Sequence, residues 1–255
     1  MTSKRIFHLI SFLLFNCFIL SSYAEISPSL YHLKKAYPQY VQSVTNHYIY
    51  WKDGTRISIQ GSSSFLDWIN HFFYSGSPSI DTISQKEVQR EHYEAVFKKM
   101  YGGSIKEVRQ HLKTVYWMPH VYGKLYPLKV TTINGIDKKL QRISAALEKL
   151  PPSYFKYLAR PAGSFYWRRV EGEDYLSTHS FGIAIDINSH YSNYWLWDYK
   201  KTRKPLNQLR HYKLICHNRI PDKIVKIFAK EGFYWGGNWY FYDTMHFEYR
   251  PDLFA

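Results

Sequence analysis

The stretch Ser177-Thr178-His179-Ser180-Phe181-Gly182-Ile183-Ala184-Ile185-Asp186-Ile187-Asn188 decides how the chain is read. Its second half alternates, which predicts a strand with Ile183, Ile185 and Ile187 on one face and Ala184, Asp186 and Asn188 on the other. Three isoleucines claim the core, so Asp186 is presented on the opposite, less apolar face. Gly182 permits a bend that brings His179 alongside it.

Further along, Asp243-Thr244-Met245-His246-Phe247-Glu248-Tyr249-Arg250 repeats the pattern. Met245, Phe247 and Tyr249 take the core side, and His246 and Glu248 share a polar face. Two histidines and one aspartate are the ligand set of a catalytic zinc site with its fourth position open to water. Neutral imidazoles and a single carboxylate leave the metal with net positive charge, which acidifies bound water towards about pH 7 and polarises a carbonyl. A base must take the water proton. Asp243, three residues before His246, is the candidate, and Glu248 is placed to orient a histidine ligand from behind.

These two segments resemble the M15 family of zinc D,D-carboxypeptidases and L-alanyl-D-glutamate endopeptidases. Its first signature has the form S-x-H-x-x-G-x-A-x-D, which Ser177, His179, Gly182, Ala184 and Asp186 match position for position. Asp243, Met245, His246, Phe247 and Glu248 match the second signature, and Trp235-Gly236-Gly237 looks like the family's approach to it. The resemblance implies that His179, Asp186 and His246 bind zinc and that Asp243 is the base. It also implies a small antiparallel sheet bearing the zinc site, of the Hedgehog/D-Ala-D-Ala peptidase type. Aspartate at position 243 looks more like the endopeptidase branch. The family's oxyanion-stabilising arginine falls in Gly163-Ser164-Phe165-Tyr166-Trp167-Arg168-Arg169, where Arg168 is preferred over Arg169 as a fixed charge aimed at the developing oxyanion. Ser177 is a candidate substrate hydrogen-bonding group.

Outward from these motifs, the 255-residue chain is 45% hydrophobic and 19% aromatic, which excludes a disordered tail protein. Lys4 and Arg5 precede an uncharged run from Leu9 to Leu20, and Ser22-Tyr23-Ala24 offers a small-residue cleavage site, so residues 1–24 read as a secretory signal. The run is too short for the roughly 20 apolar residues of a membrane anchor. With the signal removed the charge is 34 − 2 − 20 = +12. A basic exported surface favours wall polymers, lipid headgroups and acidic glycans over nucleic acid. Only Cys216 remains, which excludes an intrachain disulfide and reads as a buried structural thiol.

Helical patterns crowd the first part: Phe65 to Phe73, Gln85 to Met100, and Ile136 to Leu150 with Asn134 as its cap and Pro151-Pro152 as its stop. Asp53-Gly54 predicts a hairpin between Tyr48-Ile49-Tyr50-Trp51 and Arg56-Ile57-Ser58-Ile59. Short strands follow Arg160, with one helix from Pro221 to Lys230 burying Ile224, Val225, Ile227 and Phe228. The class is α+β. The expected organisation is a signal over 1–24, an N-terminal helical region with a hairpin over 25–126, and an M15-like peptidase core over 127–255.

Rival chemistries are weak in comparison. Ser153-Tyr154-Phe155-Lys156 has the S-x-x-K spacing of a serine enzyme but lacks a K-T-G partner, and no H-E-x-x-H occurs. The basic tract Lys200, Lys201, Arg203, Lys204, Arg210 and Lys213 reads as a solvated face or a polyanion contact, and Tyr194, Trp195 and Trp197 as core or a stacking platform. The expectation is an exported zinc peptidase acting on the peptidoglycan stem peptide. The alternative is an inactive wall-binding protein on the same scaffold.

Overall fold

A computed structural model describes residues 28–59, 94–171, 175–205, 214–239 and 241–254. The predicted signal, the predicted helix over Phe65 to Phe73, the first part of Gln85 to Met100, and Arg210 and Lys213 lie outside these residues. Among the described residues no helix is long and apolar enough to cross a membrane. The chain divides into two compact units, one ending at Gln60 and the other beginning at Gly61.

In the first unit, helix α1 (Pro28–Ala36) precedes a three-stranded antiparallel sheet of β1 (Val41–Val44), β2 (Tyr48–Trp51) and β3 (Arg56–Ser58). The predicted hairpin forms, with Ile49 opposite Ile57 and Tyr50 opposite Arg56. Gly54 adopts φ +83°, which a side chain would resist, and the Trp51 N–H donates to the Thr55 carbonyl at 2.9 Å to close the turn. Leu33, Tyr37, Val41, Ile49 and Trp51 are buried, so helix and sheet share one apolar seam.

The second unit opens with α2 (Glu94–Tyr101) and α3 (Ile105–Gln110), capped by the Ser104 hydroxyl accepting from the Glu107 N–H. Strands β4 (Leu112–Tyr116) and β5 (Pro127–Thr131) then pair antiparallel from Leu112↔Thr131 to Tyr116↔Pro127. The division expected between 126 and 127 thus falls inside a hydrogen-bonded hairpin, and the compact units part at Gln60 instead. Helix α4 (Ile136–Leu147) buries Ile136, Leu140, Ile143 and Leu147 at the predicted spacing. Asn134 does not cap it. Asn134 itself takes φ 58°, its side-chain amide donates to the Tyr101 hydroxyl at 2.9 Å, and Gly135 occupies the cap position.

After a one-turn helix α5 (Phe155–Leu158) the chain reaches strand β6 (Ala184–Asp186). Helices α6 (Trp195–Lys201) and α7 (Asp222–Lys230) follow, then β7 (Phe233–Trp235) and β8 (His246–Tyr249). The sheet has the order β6-β8-β7, antiparallel throughout, with β8 in the centre. Helix α7 lays Ile224 and Phe228 against it, with Val225 and Ile227 half-buried at the edge of the stripe. The Phe228 ring stacks on Phe247 with centroids 3.9 Å apart. Ile183, Ile185, Ile187 and Phe247 are fully enclosed. That apolar layer sets which face of β6 and β8 is left for polar groups.

Two expectations change here. The polar face of β8 is not open: His246 is 4%, Glu248 2% and Arg250 1% exposed, so the central strand is buried on both sides. Cys216 lies exposed rather than in the core, on an irregular stretch before α7. Trp195 joins Leu196, Tyr199, Phe241 and Tyr242 in a core cluster, whereas Trp197 remains 43% exposed.

Gly182 ties the layers together. It takes φ +66°, its carbonyl accepts from the Thr131 N–H at 3.0 Å, and an added Cβ would lie 2.7 Å from Leu112 Cδ2 and 3.0 Å from Thr131 N. Left-handed strain and overpacking each cost about 1–3 kcal/mol. Gly182→Ala is therefore expected to lower stability by about 2–4 kcal/mol, read as a shift in the urea midpoint; an unchanged midpoint contradicts this account of the turn.

Candidate metal centre

Residues Thr178–Phe181 form a 3-10 turn, begun by Ser177 and ended by Gly182 in the left-handed region. The Ser177 hydroxyl accepts from the His179 N–H at 3.3 Å, and Ser177 is only 5% exposed. That bond shapes the turn. The turn delivers His179 to the start of β6. Across the sheet, β6 and β8 are in a register that sets Asp186 opposite His246 and Ala184 opposite Glu248. Opposite residues of an antiparallel pair share a face. The motif spacing now has a cause: Asp186 meets a histidine, and the small Ala184 leaves room for the carboxylate of Glu248.

The three predicted ligands converge. His179 Nε2 lies 3.1 Å from His246 Nδ1 and 3.2 Å from Asp186 Oδ1, and His246 Nδ1 lies 3.0 Å from Asp186 Oδ1. No other group of three or more such side chains with ligand spacing occurs among the described residues. The outer nitrogens are committed elsewhere. His179 Nδ1 is 2.6 Å from the Ser164 carbonyl, which can only accept, so Nδ1 donates and Nε2 keeps its lone pair. His246 Nε2 is 3.0 Å from Glu248 Oε2, so Nε2 donates and Nδ1 keeps its lone pair.

With neutral rings, three lone pairs point at one another with no hydrogen between them. Such a cluster needs a metal ion or a proton among its members. Burial works against a charge on His246, but the hydrogen-bonded carboxylates of Asp186 and Glu248 outweigh it and push its pKa up to about 10. Burial likewise raises Asp186, yet His179 and His246 beside it hold its carboxyl well below the usual carboxylate range. Both shifts express the same demand for positive charge. A tetrahedral ion with ligands at about 2.0–2.1 Å needs those atoms roughly 3.3 Å apart, close to the spacing here. Two imidazoles and a carboxylate suit zinc and leave one position unfilled by protein. Asp186 is the most open of the three, at 19% side-chain exposure against 6% for each histidine.

Supporting groups come from several elements. Ser164 is held by its own hydroxyl donating to the Lys129 carbonyl on β5 at 2.8 Å. Backbone bonds from Ala162 N–H to the Asp186 carbonyl and from Asp186 N–H to the Gly163 carbonyl, both 2.8 Å, fasten the same segment to β6. The Trp239 ring packs 5.4 Å from that of His246. Thr178 donates to Glu248 Oε2 at 2.9 Å. Ser164 acts through its backbone carbonyl, so no side-chain pattern announces it. Thr178 gains meaning only from the register that brings Glu248 over it.

Asp243 is half-buried in the turn before β8, its N–H donating to the Gly236 carbonyl at 2.9 Å and its carbonyl accepting from the His246 N–H at 3.2 Å. An added Cβ on Gly236 would lie 2.6 Å from the Asp243 carbonyl oxygen, so the Trp235-Gly236-Gly237 approach must be bare for this loop to close. Arg168 and Arg169 are both exposed. Arg168 is tied by its backbone to the histidine turn, its N–H donating to the Ser180 hydroxyl at 2.9 Å and its carbonyl accepting from the Ser177 N–H at 3.0 Å. Its guanidinium donates to the Arg169 carbonyl at 3.2 Å. Ser153 is exposed, and the Lys156 ammonium lies 5.1 Å from the Tyr157 ring and 5.7 Å from that of Tyr191.

No curated protein and no solved structure matches the chain significantly. Residues 171–249 match a family model of the M15 peptidases described as D-alanyl-D-alanine carboxypeptidase. That stretch includes the histidine turn, β6, β7 and β8, and with them all three converging side chains. Over residues 171–249 the chain is therefore similar to the M15 peptidases.

Proposed function

We propose that this protein is an exported zinc peptidase that cleaves a peptide bond in the stem peptide of peptidoglycan, as an L-alanyl-D-glutamate endopeptidase or a D,D-carboxypeptidase. The observation that carries the reading is the meeting of three ring and carboxylate lone pairs, from His179, Asp186 and His246, within 3.0–3.2 Å of one another. The family match supports a hydrolase of cell-wall peptides. Export rests on residues 1–24, and the strongly basic mature chain suits an anionic wall.

In this reading His179, Asp186 and His246 hold zinc, which when bound lowers the pKa of water to about 7 and polarises the scissile carbonyl. The chain's own residues do the rest. Asp243 accepts a proton from the attacking water and returns it to the leaving amine. Arg168 places a fixed positive charge against the oxyanion of the tetrahedral intermediate. Glu248 keeps the His246 ring in the tautomer and orientation that a ligand requires. Ser177 holds His179 in place through the cap of its turn.

Three outcomes test this, all read on purified muropeptides with the new termini identified by mass. Asp243→Asn should lower turnover about 10²–10⁴-fold while retaining zinc by elemental analysis; full wall-directed activity in this variant would favour a pure binding protein. Arg168→Ala should cost about 10²–10³-fold in kcat, and Arg169→Ala far less, with the reverse order transferring the role to Arg169. His246→Ala should abolish both zinc uptake and cleavage, and a variant that still carries stoichiometric metal would contradict the ligand assignment.

A further inference from the structure

Behind the metal-facing side of His246 runs a line of buried charge. Residues 246, 248 and 250 lie on one face of β8 and its extension, and the next in the line is Asp252 in the C-terminal 3-10 turn. The Arg250 side chain is 1% exposed, Glu248 3% and Asp252 2%. Arg250 grips Asp252 with a fork: Nε at 3.1 and 3.0 Å from the two carboxylate oxygens and Nη2 at 2.7 Å from Oδ2. Its remaining amino group, Nη1, lies 3.5 Å from Glu248 Oε1. The other oxygen, Glu248 Oε2, takes the His246 Nε2–H and the Thr178 hydroxyl.

A fork with Asp252 alone balances the charge of an arginine. A second carboxylate on the histidine side adds a buried negative charge, and burying charge is costly unless it is paired and held. The bonded line from metal site to C-terminal turn contains Asp186, Glu248 and Asp252 against Arg250, a formal −3 + 1 = −2. A divalent ion at the three-ligand site balances that sum. The arrangement makes sense as a chain of orientation: Asp252 aims Arg250, Arg250 holds Glu248, and Glu248 aims His246.

We propose that Arg250, through Glu248, is a positioning residue for the His246 ligand, keeping the ring turned so that Nδ1 faces the ion. This rests on the zinc reading above. It assigns work to a residue pair, Arg250 and Asp252, that neither touches the ion nor reaches substrate.

The test is metal affinity, measured on full-length protein stripped of metal and titrated with zinc against a chelator, with the visible spectrum of the cobalt(II) form as a second readout. Glu248→Gln and Arg250→Met should each weaken zinc binding about 10–100-fold and alter the cobalt spectrum. Because Arg250 acts only through Glu248, the double variant should bind no more weakly than the weaker single one. A folded Arg250→Met protein with unchanged zinc affinity and spectrum overturns the proposal, as do losses that multiply in the double variant. Should Arg250→Met fail to fold, Arg250→Lys decides. Lysine keeps the charge without the fork, so affinity between wild type and Glu248→Gln supports the proposal, and affinity equal to wild type overturns it. A wild-type protein that takes up no zinc overturns the metal reading itself, which the variant comparisons alone do not.

Discussion

Three ring and carboxylate atoms held within 3.0–3.2 Å of one another repel unless a metal ion or a shared proton sits among them, and the second unit is built to keep them there. Each ring has its outer N–H bonded to an acceptor, the Ser164 carbonyl for His179 and the Glu248 carboxylate for His246. Neither ring can turn its lone pair away without breaking that bond inside a closed environment, where an unmade hydrogen bond costs about 1–3 kcal/mol. The acceptors are themselves anchored, Ser164 to β5 and Glu248 to Thr178 and Arg250. Positional accuracy at the site is inherited from such supports.

Packing on the other side of the sheet supplies rigidity. Phe247 alternates with His246 and Glu248, and its ring lies flat on Phe228 from α7, while Ile183 and Ile185 close the layer from β6. Close-packed interiors leave no room for a strand to slide. A one-residue slip of β8 would exchange its faces, sending the histidine into the apolar layer and Phe247 into the ion cluster. The register Asp186↔His246 is thus enforced by the hydrophobic layer as much as by the backbone ladder.

The β4–β5 hairpin belongs to the same machinery although it lies far upstream in sequence. It supplies the Lys129 carbonyl that fastens Ser164, the partner of the His179 ring, and the Thr131 N–H that bonds Gly182 at the end of the histidine turn, so ring and turn both lean on it. Helix α2 contributes similarly, the Glu94 carboxylate accepting from the Leu176 N–H at 2.8 Å just before that turn. Residues that carry no motif can therefore decide where His179 stands.

What could be read from the chain alone was whatever depends on neighbours in sequence. Strand alternation placed Asp186 against the isoleucines, Asp53-Gly54 marked a hairpin, and apolar spacing marked α4 and α7, because periodicity and turn chemistry are local properties. The grouping of His179, Asp186 and His246 was legible through two short motifs with fixed internal spacing. Other features exist only once distant segments meet. Asn134 yields its capping place to Gly135 because the Tyr101 hydroxyl is there to bond it. Glu248, Arg250 and Asp252 look like an ordinary polar edge in sequence, and become a buried line of charge because layers on both sides of β8 exclude water from them. Ser164 enters only through its backbone carbonyl, which every residue possesses, so tertiary contact alone could single it out.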